Sequence, residues 1–205
     1  MKNTSIAYQV GEALYLNITN RCTNECTFCI RYINRLFNQE HELWLEHEPT
    51  AKEVMSAIGD PKQWPEIVFC GYGEPLLRLD VVKAVAKWIK TKSKKIKVRV
   101  DTNGSANLFF GRNILPELKG LVDEMSISLN APNAATYKKI TRPVYGEKSF
   151  EAVKEFIKLA KLSIPNVVAT TVDLPNLDQK TSAKIAKKLG VRFRIRPYYE
   201  KKYKK

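Results

Sequence analysis

A chain of 205 residues and 23.5 kDa has room for one good-sized domain and buries about 70% of its unfolded surface, so it needs no disulfide scaffold. Hydrophobic residues make up 44% and charged residues 27%, with 9 Gly and 10 Pro, which excludes a disordered, collagenous or disulfide-framework protein. Lys and Arg number 35 against 21 Asp and Glu, and the net charge of +14 favours an anionic partner such as nucleic acid, a nucleotide or an acidic protein.

The basic excess is concentrated. From Lys83 to Arg99 every charged residue is basic, and from Arg192 to Lys205 the only acid is Glu200. Such stretches read either as solvated faces and a tail, or as an anion-binding face helped by interleaved Tyr198, Tyr199 and Tyr203. No apolar run approaches the roughly 18 residues of a membrane span. Met1 to Val10 lacks a signal-peptide core. A cytoplasmic protein is expected, so its 4 cysteines read first as ligands or catalysts.

In chain order, Ile6 to Gln9 and the turn Val10-Gly11-Glu12 predict a hairpin partner for a strand over Ala13 to Thr19. Thr50 with Glu53 forms a capping box for a helix over Ala51 to Ile58. Glu66 to Cys70 is a short apolar strand. Asp80 is the expected cap of a helix with Val81, Val85, Trp88 and Ile89 on one face. Ile96 to Val100 and Glu124 to Leu129 read as strands, broken by Asn103-Gly104 and Pro132. Ser149 is the expected cap of a helix carrying Val153, Phe156, Ile157 and Ala160. Asn166 to Val172 is a strand, Asp178 to Gly190 a helix with a glycine C-cap, and Val191 to Ile195 the last strand. Strands alternating with helices mean parallel βα units. Six of them fit an α/β fold of the partial (β/α)6, TIM-like kind better than a closed eightfold barrel, which needs about 250 residues. The expected organisation is one domain over 1–205, with an N-terminal hairpin (5–19) and a basic tail (198–205). Functional groups are expected after Thr19, Cys70, Val100, Leu129, Val172 and Ile195, at the carboxyl ends of the strands.

Cys22, Cys26 and Cys29 stand in RCTNECTFCIR, directly after the first long strand. Three thiolates within eight residues can converge on one metal centre. A structural zinc wants four closed ligands, and an iron–sulfur cubane normally takes four cysteines. Three would leave one iron open to a substrate. Zinc held by the three with His41 or His47 is the competing use. Cys70, ending an apolar strand, reads as a small buried hydrophobe.

The cysteine spacing, with Phe28 before the third Cys, resembles the radical S-adenosylmethionine (radical SAM) superfamily. So does Gly71-Tyr72-Gly73-Glu74-Pro75 after the second strand, where that family carries its G-G-E-P-like turn. Asp101-Thr102-Asn103-Gly104 after the third strand is similar to the pattern of glycyl-radical activating enzymes. Ser128 and Asn130 stand where that pattern has Asp and Lys. The segments YQVGEALYLNITNRC, WLEHEPT and GVRFRIRPY look like the small radical SAM proteins linked to TatD-family nucleases.

The resemblance implies one 4Fe–4S cluster on Cys22, Cys26 and Cys29. Its open iron would chelate S-adenosylmethionine, an external electron donor would drive cleavage to a 5′-deoxyadenosyl radical, and that radical would abstract hydrogen from an unidentified substrate. It further implies that Glu74 accepts hydrogen bonds from the methionine ammonium, that Gly71 and Gly73 admit the ligand, and that Phe28 flanks the adenine or shields the cluster. Asp101 and Thr102 would face a monovalent cation or the methionine carboxylate, Asn103 would belong to the same cofactor-binding set, and Ser128 and Asn130 would face the ribose or carboxylate. Plain turn and strand-end roles compete for Asn103, Ser128 and Asn130. Arg192, Arg194 and Arg196 alternate with apolar residues on the last strand. Arg196 is the candidate for a carboxylate or phosphate, against a salt-bridged strand edge. Ile30 to Glu48 is long for a loop and reads as a lid, a docking segment, or a surface helix packed by Leu36, Phe37 and Leu43. A partner-activating enzyme and a zinc-stabilised nucleic-acid-binding module without catalysis are the alternative functions.

Overall fold

A computed structural model describes residues 5–33, 36–38 and 40–198. The chain opens with strands β1 (Ala7–Val10) and β2 (Ala13–Leu16), joined through Gly11-Glu12 as an antiparallel hairpin that pairs Val10 with Ala13. Then come helix α1 (Ile30–Ile33), the two-stranded ribbon β3 (Leu36–Phe37) and β4 (His41–Glu42), and helix α2 (Ala51–Ile58). The second half alternates: β5 (Glu66–Phe69), α3 (Leu79–Lys92), β6 (Lys97–Thr102), α4 (Ala106–Phe110), β7 (Glu124–Ser128), α5 (Ala134–Thr141), α6 (Lys148–Ala160), β8 (Asn166–Val172), α7 (Gln179–Leu189) and β9 (Arg192–Arg196).

The main sheet has order β1-β2-β5-β6-β7-β8-β9. From β2 onward each neighbouring pair is parallel, and the sheet is open rather than closed. This is the partial, TIM-like α/β barrel of six parallel strands with an antiparallel hairpin at one edge. Ile67, Phe69, Val98, Val100, Met125, Ile127, Val167 and Ala169 face the helices and form one cluster with Val81, Val85, Ile89, Val153, Phe156 and Ile157. The alternate residues face the concave side. There the strands carry Glu66, Lys97, Arg99, Asp101, Glu124, Ser126, Ser128, Arg192, Arg194 and Arg196. Among the described residues no helix is long and apolar enough to cross a membrane.

The capping box of α2 forms as the sequence predicts, with Thr50 and Glu53 each bonding the other's backbone. Asp178 caps α7, and Gly190 closes it in the left-handed conformation. Two caps differ. α3 starts at Leu79, because the 3-10 turn Pro75–Arg78 runs directly into it. Asp80 therefore sits inside the first turn, where its charge complements the helix dipole. α6 starts at Lys148, because the turn ending at Gly146 (φ 61°) delivers the chain two residues early. Ser149 lies on the buried face at 2% exposure, and its hydroxyl has no hydrogen-bond partner among the described residues. Segment 30–48 forms α1 and the ribbon rather than a long surface helix. The basic tail beyond Tyr198 lies outside the described residues.

Half of the basic run from Lys83 to Arg99 is ion-paired among the described residues. Lys83 meets Glu117, Lys90 meets Asp123, Lys97 meets Glu66 and Glu124, and Arg99 meets Glu66 and Asp101.

An unpartnered buried hydroxyl costs about 1–3 kcal/mol. Ser149→Ala is expected to raise stability by about 1 kcal/mol and Tm by about 2–4 °C, read by thermal unfolding; a lower Tm would show that Ser149 is satisfied after all.

Candidate active site

The carboxyl ends of the parallel strands open into a cavity of about 430 Å³. β2 delivers the chain to Asn17, which is fully buried and locks the neighbouring segments together. Its side chain donates to the carbonyl of Leu43 (2.7 Å) and accepts from the Tyr72 N–H (3.2 Å). The cysteine loop follows. Cys22, Cys26 and Cys29 all line the cavity. The loop is tied from outside by Arg31, whose guanidinium donates to the carbonyls of Asn20 (3.2 Å) and Asn24 (3.4 Å). It is tied from inside by Asn103, which donates to the Thr23 hydroxyl (2.8 Å) and to Cys22 Sγ (3.6 Å). The Asn24 N–H also points at Cys22 Sγ, at 3.4 Å.

Burial pushes the thiols up, Cys22 to about 11 and Cys26 to about 12, with Cys29 also raised. Bare thiols here are neutral, and a metal must displace their protons to bind them. Among the described residues no group of three or more His, Cys, Asp or Glu side chains is arranged to hold a single metal ion. A zinc held by the three cysteines would need a fourth ligand from His41 or His47. The histidines that reading needs are elsewhere: His47 lies 3.0 Å from Glu53, and the His41 ring packs on Tyr8.

The turn after β5 is pressed against the cysteine loop. A Cβ on Gly73 would sit 2.3 Å from the Thr19 carbonyl oxygen and 2.5 Å from that of Arg21; one on Gly71 would sit 2.1 Å from Asn17 Oδ1. Both residues line the cavity, yet what demands glycine is contact between two loops of the chain itself. Glu74 donates its own N–H to the Arg21 carbonyl (2.8 Å). Its carboxylate, 2% exposed, accepts from Leu76 N–H (3.1 Å), the Thr102 hydroxyl (2.7 Å) and Asn103 N–H (2.6 Å). Burial raises its pKa to about 7 against the pull of these donors.

Opposite, Ser128 and Asn130 end β7, with Asn130 in the left-handed region at φ 58°. Arg196 reaches over β8 to both, donating at 3.2 and 3.4 Å. Phe28 lines the cavity beside the cysteines. The structure thus brings Cys22, Cys26, Phe28, Cys29, Gly71, Gly73, Glu74, Thr102, Asn103, Ser128, Asn130 and Arg196 to one cavity.

Further groups share its wall. Cys70 is half-buried in the cavity rather than part of the apolar core, and burial together with the nearby Asp101 carboxylate pushes its thiol up. Arg99 pairs with Asp101 (3.2 Å) and donates to the Tyr15 hydroxyl (2.7 Å). Arg194 donates to the Ser126 hydroxyl at 2.7 Å. Phe37 and Leu43, from segment 30–48, join Tyr8 and Tyr72 in a second apolar cluster at the rim. The signal that locates these residues is the two-residue alternation: Arg99 precedes Asp101, and Arg194 precedes Arg196, on the same face.

The profile of the Radical SAM superfamily matches residues 16–189, and the chain belongs to that family, whose enzymes use a 4Fe–4S cluster with S-adenosylmethionine. It is 34% identical over 128 residues to a GTP 3',8-cyclase of Lactiplantibacillus plantarum, covering 62% of this chain and 36% of that protein. A GTP 3',8-cyclase of Petrotoga mobilis is 28% identical over 184 residues, 88% of this chain and 54% of that one. The chain therefore spans about half or less of the length of these relatives. Among solved structures, Streptococcus suis SuiB bound to S-adenosylmethionine shares the fold with a TM-score of 0.63 at 13% identity, over 91% of this chain and 40% of that one.

Gly73→Ala forces the Thr19 and Arg21 backbone to give way. The expected cost is about 1–3 kcal/mol, with reduced iron content after reconstitution, read by urea unfolding and iron assay. Unchanged iron and stability would show that the two loops are not in contact. For Glu74, a folded pKa of about 7 lies above the ordinary 4.5. Its contribution is therefore present in full below pH 4.5 and lost as pH rises through 7. In the cluster-free protein, Glu74→Gln should flatten the stability–pH curve across that window.

Proposed function

We propose that Cys22, Cys26 and Cys29 hold three irons of a 4Fe–4S cluster and that this cavity carries out radical SAM chemistry on a small molecule. The observation that carries the reading is that three thiols from one loop and the Glu74 turn line a single cavity at the carboxyl ends of the strands. When bound, the cluster and S-adenosylmethionine supply, with one electron from an external donor, a 5′-deoxyadenosyl radical that abstracts hydrogen. The chain's own residues position and shield. The Asn24 N–H and the Asn103 amide direct donors at Cys22 Sγ, the kind of outer contact that orients a metal ligand. A carboxylate has about four acceptor sites. Glu74 uses two on Oε1 and one on Oε2, which leaves Oε2 one site for the methionine ammonium. Ser128, Asn130 and Arg196 offer hydroxyl, amide and guanidinium to the ribose and carboxylate. Phe28 shields the cluster side, and Tyr8, Phe37, Leu43 and Tyr72 keep water from the rim.

Three segments favour the small radical SAM proteins linked to TatD-family nucleases as the subgroup: YQVGEALYLNITNRC, WLEHEPT and GVRFRIRPY. The free thiols favour a reducing compartment. Relatives named as GTP cyclases make nucleotides the first substrates to try.

Purified without oxygen and reconstituted with iron and sulfide, the protein is expected to be brown and, with dithionite, to form 5′-deoxyadenosine. Cys22→Ala should abolish both. A colourless reconstituted wild type, or one that yields no 5′-deoxyadenosine, overturns the reading.

A further inference from the structure

The concave face of the sheet is a ledger of charge. Arg192, Arg194 and Arg196 of β9 reach across β8 to Glu124, Ser126 and Ser128 of β7, each bridging the same 68 residues of sequence. At the floor the cations meet carboxylates: Lys97 meets Glu66 and Glu124, and Arg192 meets Glu124. One step up, Arg99 meets Asp101 and Glu66. Arg194 and Arg196 are different. Among the described residues neither forms an ion pair with a carboxylate; their partners there are the Ser126 and Ser128 hydroxyls and the Asn130 amide oxygen, and the Nε of each is buried without a hydrogen bond. Both side chains line the cavity. Two uncompensated guanidinium groups on a water-poor wall are costly unless anions meet them.

The proposed chemistry accounts for one of the two. Arg196 sits at the end of the strand against Ser128 and Asn130, the residues proposed above for the ribose and carboxylate of S-adenosylmethionine. Arg194 lies two residues deeper, about 6–7 Å along the strand, facing the interior that holds Tyr15, Cys70 and Asp101. We infer that Arg194 is the anchor for an oxyanion of the substrate, so that the molecule acted on here is a phosphate ester or a carboxylate. The Ser126 hydroxyl holds one Nη of the guanidinium, and the side chain lines the cavity with no carboxylate beside it among the described residues. A planar fork of this kind pairs with either oxyanion. The inference rests on the cavity being the substrate site proposed above.

The test uses the full-length, cluster-reconstituted protein saturated with S-adenosylmethionine. Inorganic phosphate and acetate are titrated separately at ionic strength held constant with chloride, and binding is read by calorimetry and by thermal shift. Saturable binding of one of them is expected, and the tighter of the two distinguishes a phosphate ester from a carboxylate. Arg194→Gln should weaken it about tenfold or more. Arg192→Gln, at the exposed floor end of the same strand, should change it less than about twofold. Should Arg194→Gln not fold, Arg194→Lys keeps the charge, removes the planar fork and is read for the same loss. No response beyond chloride, or unchanged affinity in a folded Arg194 variant, overturns the inference. Oxyanion binding that survives in protein unable to make 5′-deoxyadenosine would remove the radical reading alone; 5′-deoxyadenosine formation without oxyanion binding would remove this inference alone.

Discussion

Everything at the carboxyl end of the sheet depends on how tightly the turn after β5 is pressed against the loop after β2. The contact leaves no room for a side chain at residue 73, since two backbone carbonyls stand where a Cβ would go. It is closed by the Glu74 N–H on the Arg21 carbonyl, one residue before the first cysteine. The position of Cys22 is thus set by backbone geometry rather than by flexible side chains. Such a contact transmits displacement in both directions, because packed backbone has little freedom to absorb a shift.

Glu74 extends the same junction across the sheet. Its buried carboxylate gathers donors from its own turn and from the end of β6, and Asn103 passes the connection back to Thr23 and Cys22. Three strand ends are thereby held in one hydrogen-bonded unit before any ligand arrives. The arrangement is costly in isolation, as the raised pKa of Glu74 shows, and a buried carboxylate with an acceptor site to spare suits a cationic ligand.

The concave face divides by depth. Its floor is neutralised by ion pairs that include partly exposed side chains and so contribute little to stability. Its upper part keeps Arg194 and Arg196, whose partners among the described residues are neutral oxygens. Half of the positive run from Lys83 to Arg99 pairs internally, with Glu117, Asp123, Glu66, Glu124 and Asp101. The rim is apolar and is built by the hairpin and segment 30–48, through Tyr8, Phe37, Leu43 and Tyr72.

The amino-acid sequence by itself determined the order of elements, the caps at Thr50, Asp178 and Gly190, the cysteine loop and the motifs after each strand, because alternation, capping and spacing are local properties of the chain. Strand ends and helix starts shifted where neighbours intervened: β6 runs on to Thr102 by pairing with β7, and α6 begins before Ser149 because of the preceding turn. Only the tertiary structure decided why residues 71 and 73 are glycine, that Cys70 opens into the cavity, and which arginines lack a carboxylate. Each of these is a relation between segments dozens of residues apart. Composition counts charges; which charge meets which is settled by the register of strands that become neighbours only in the folded sheet.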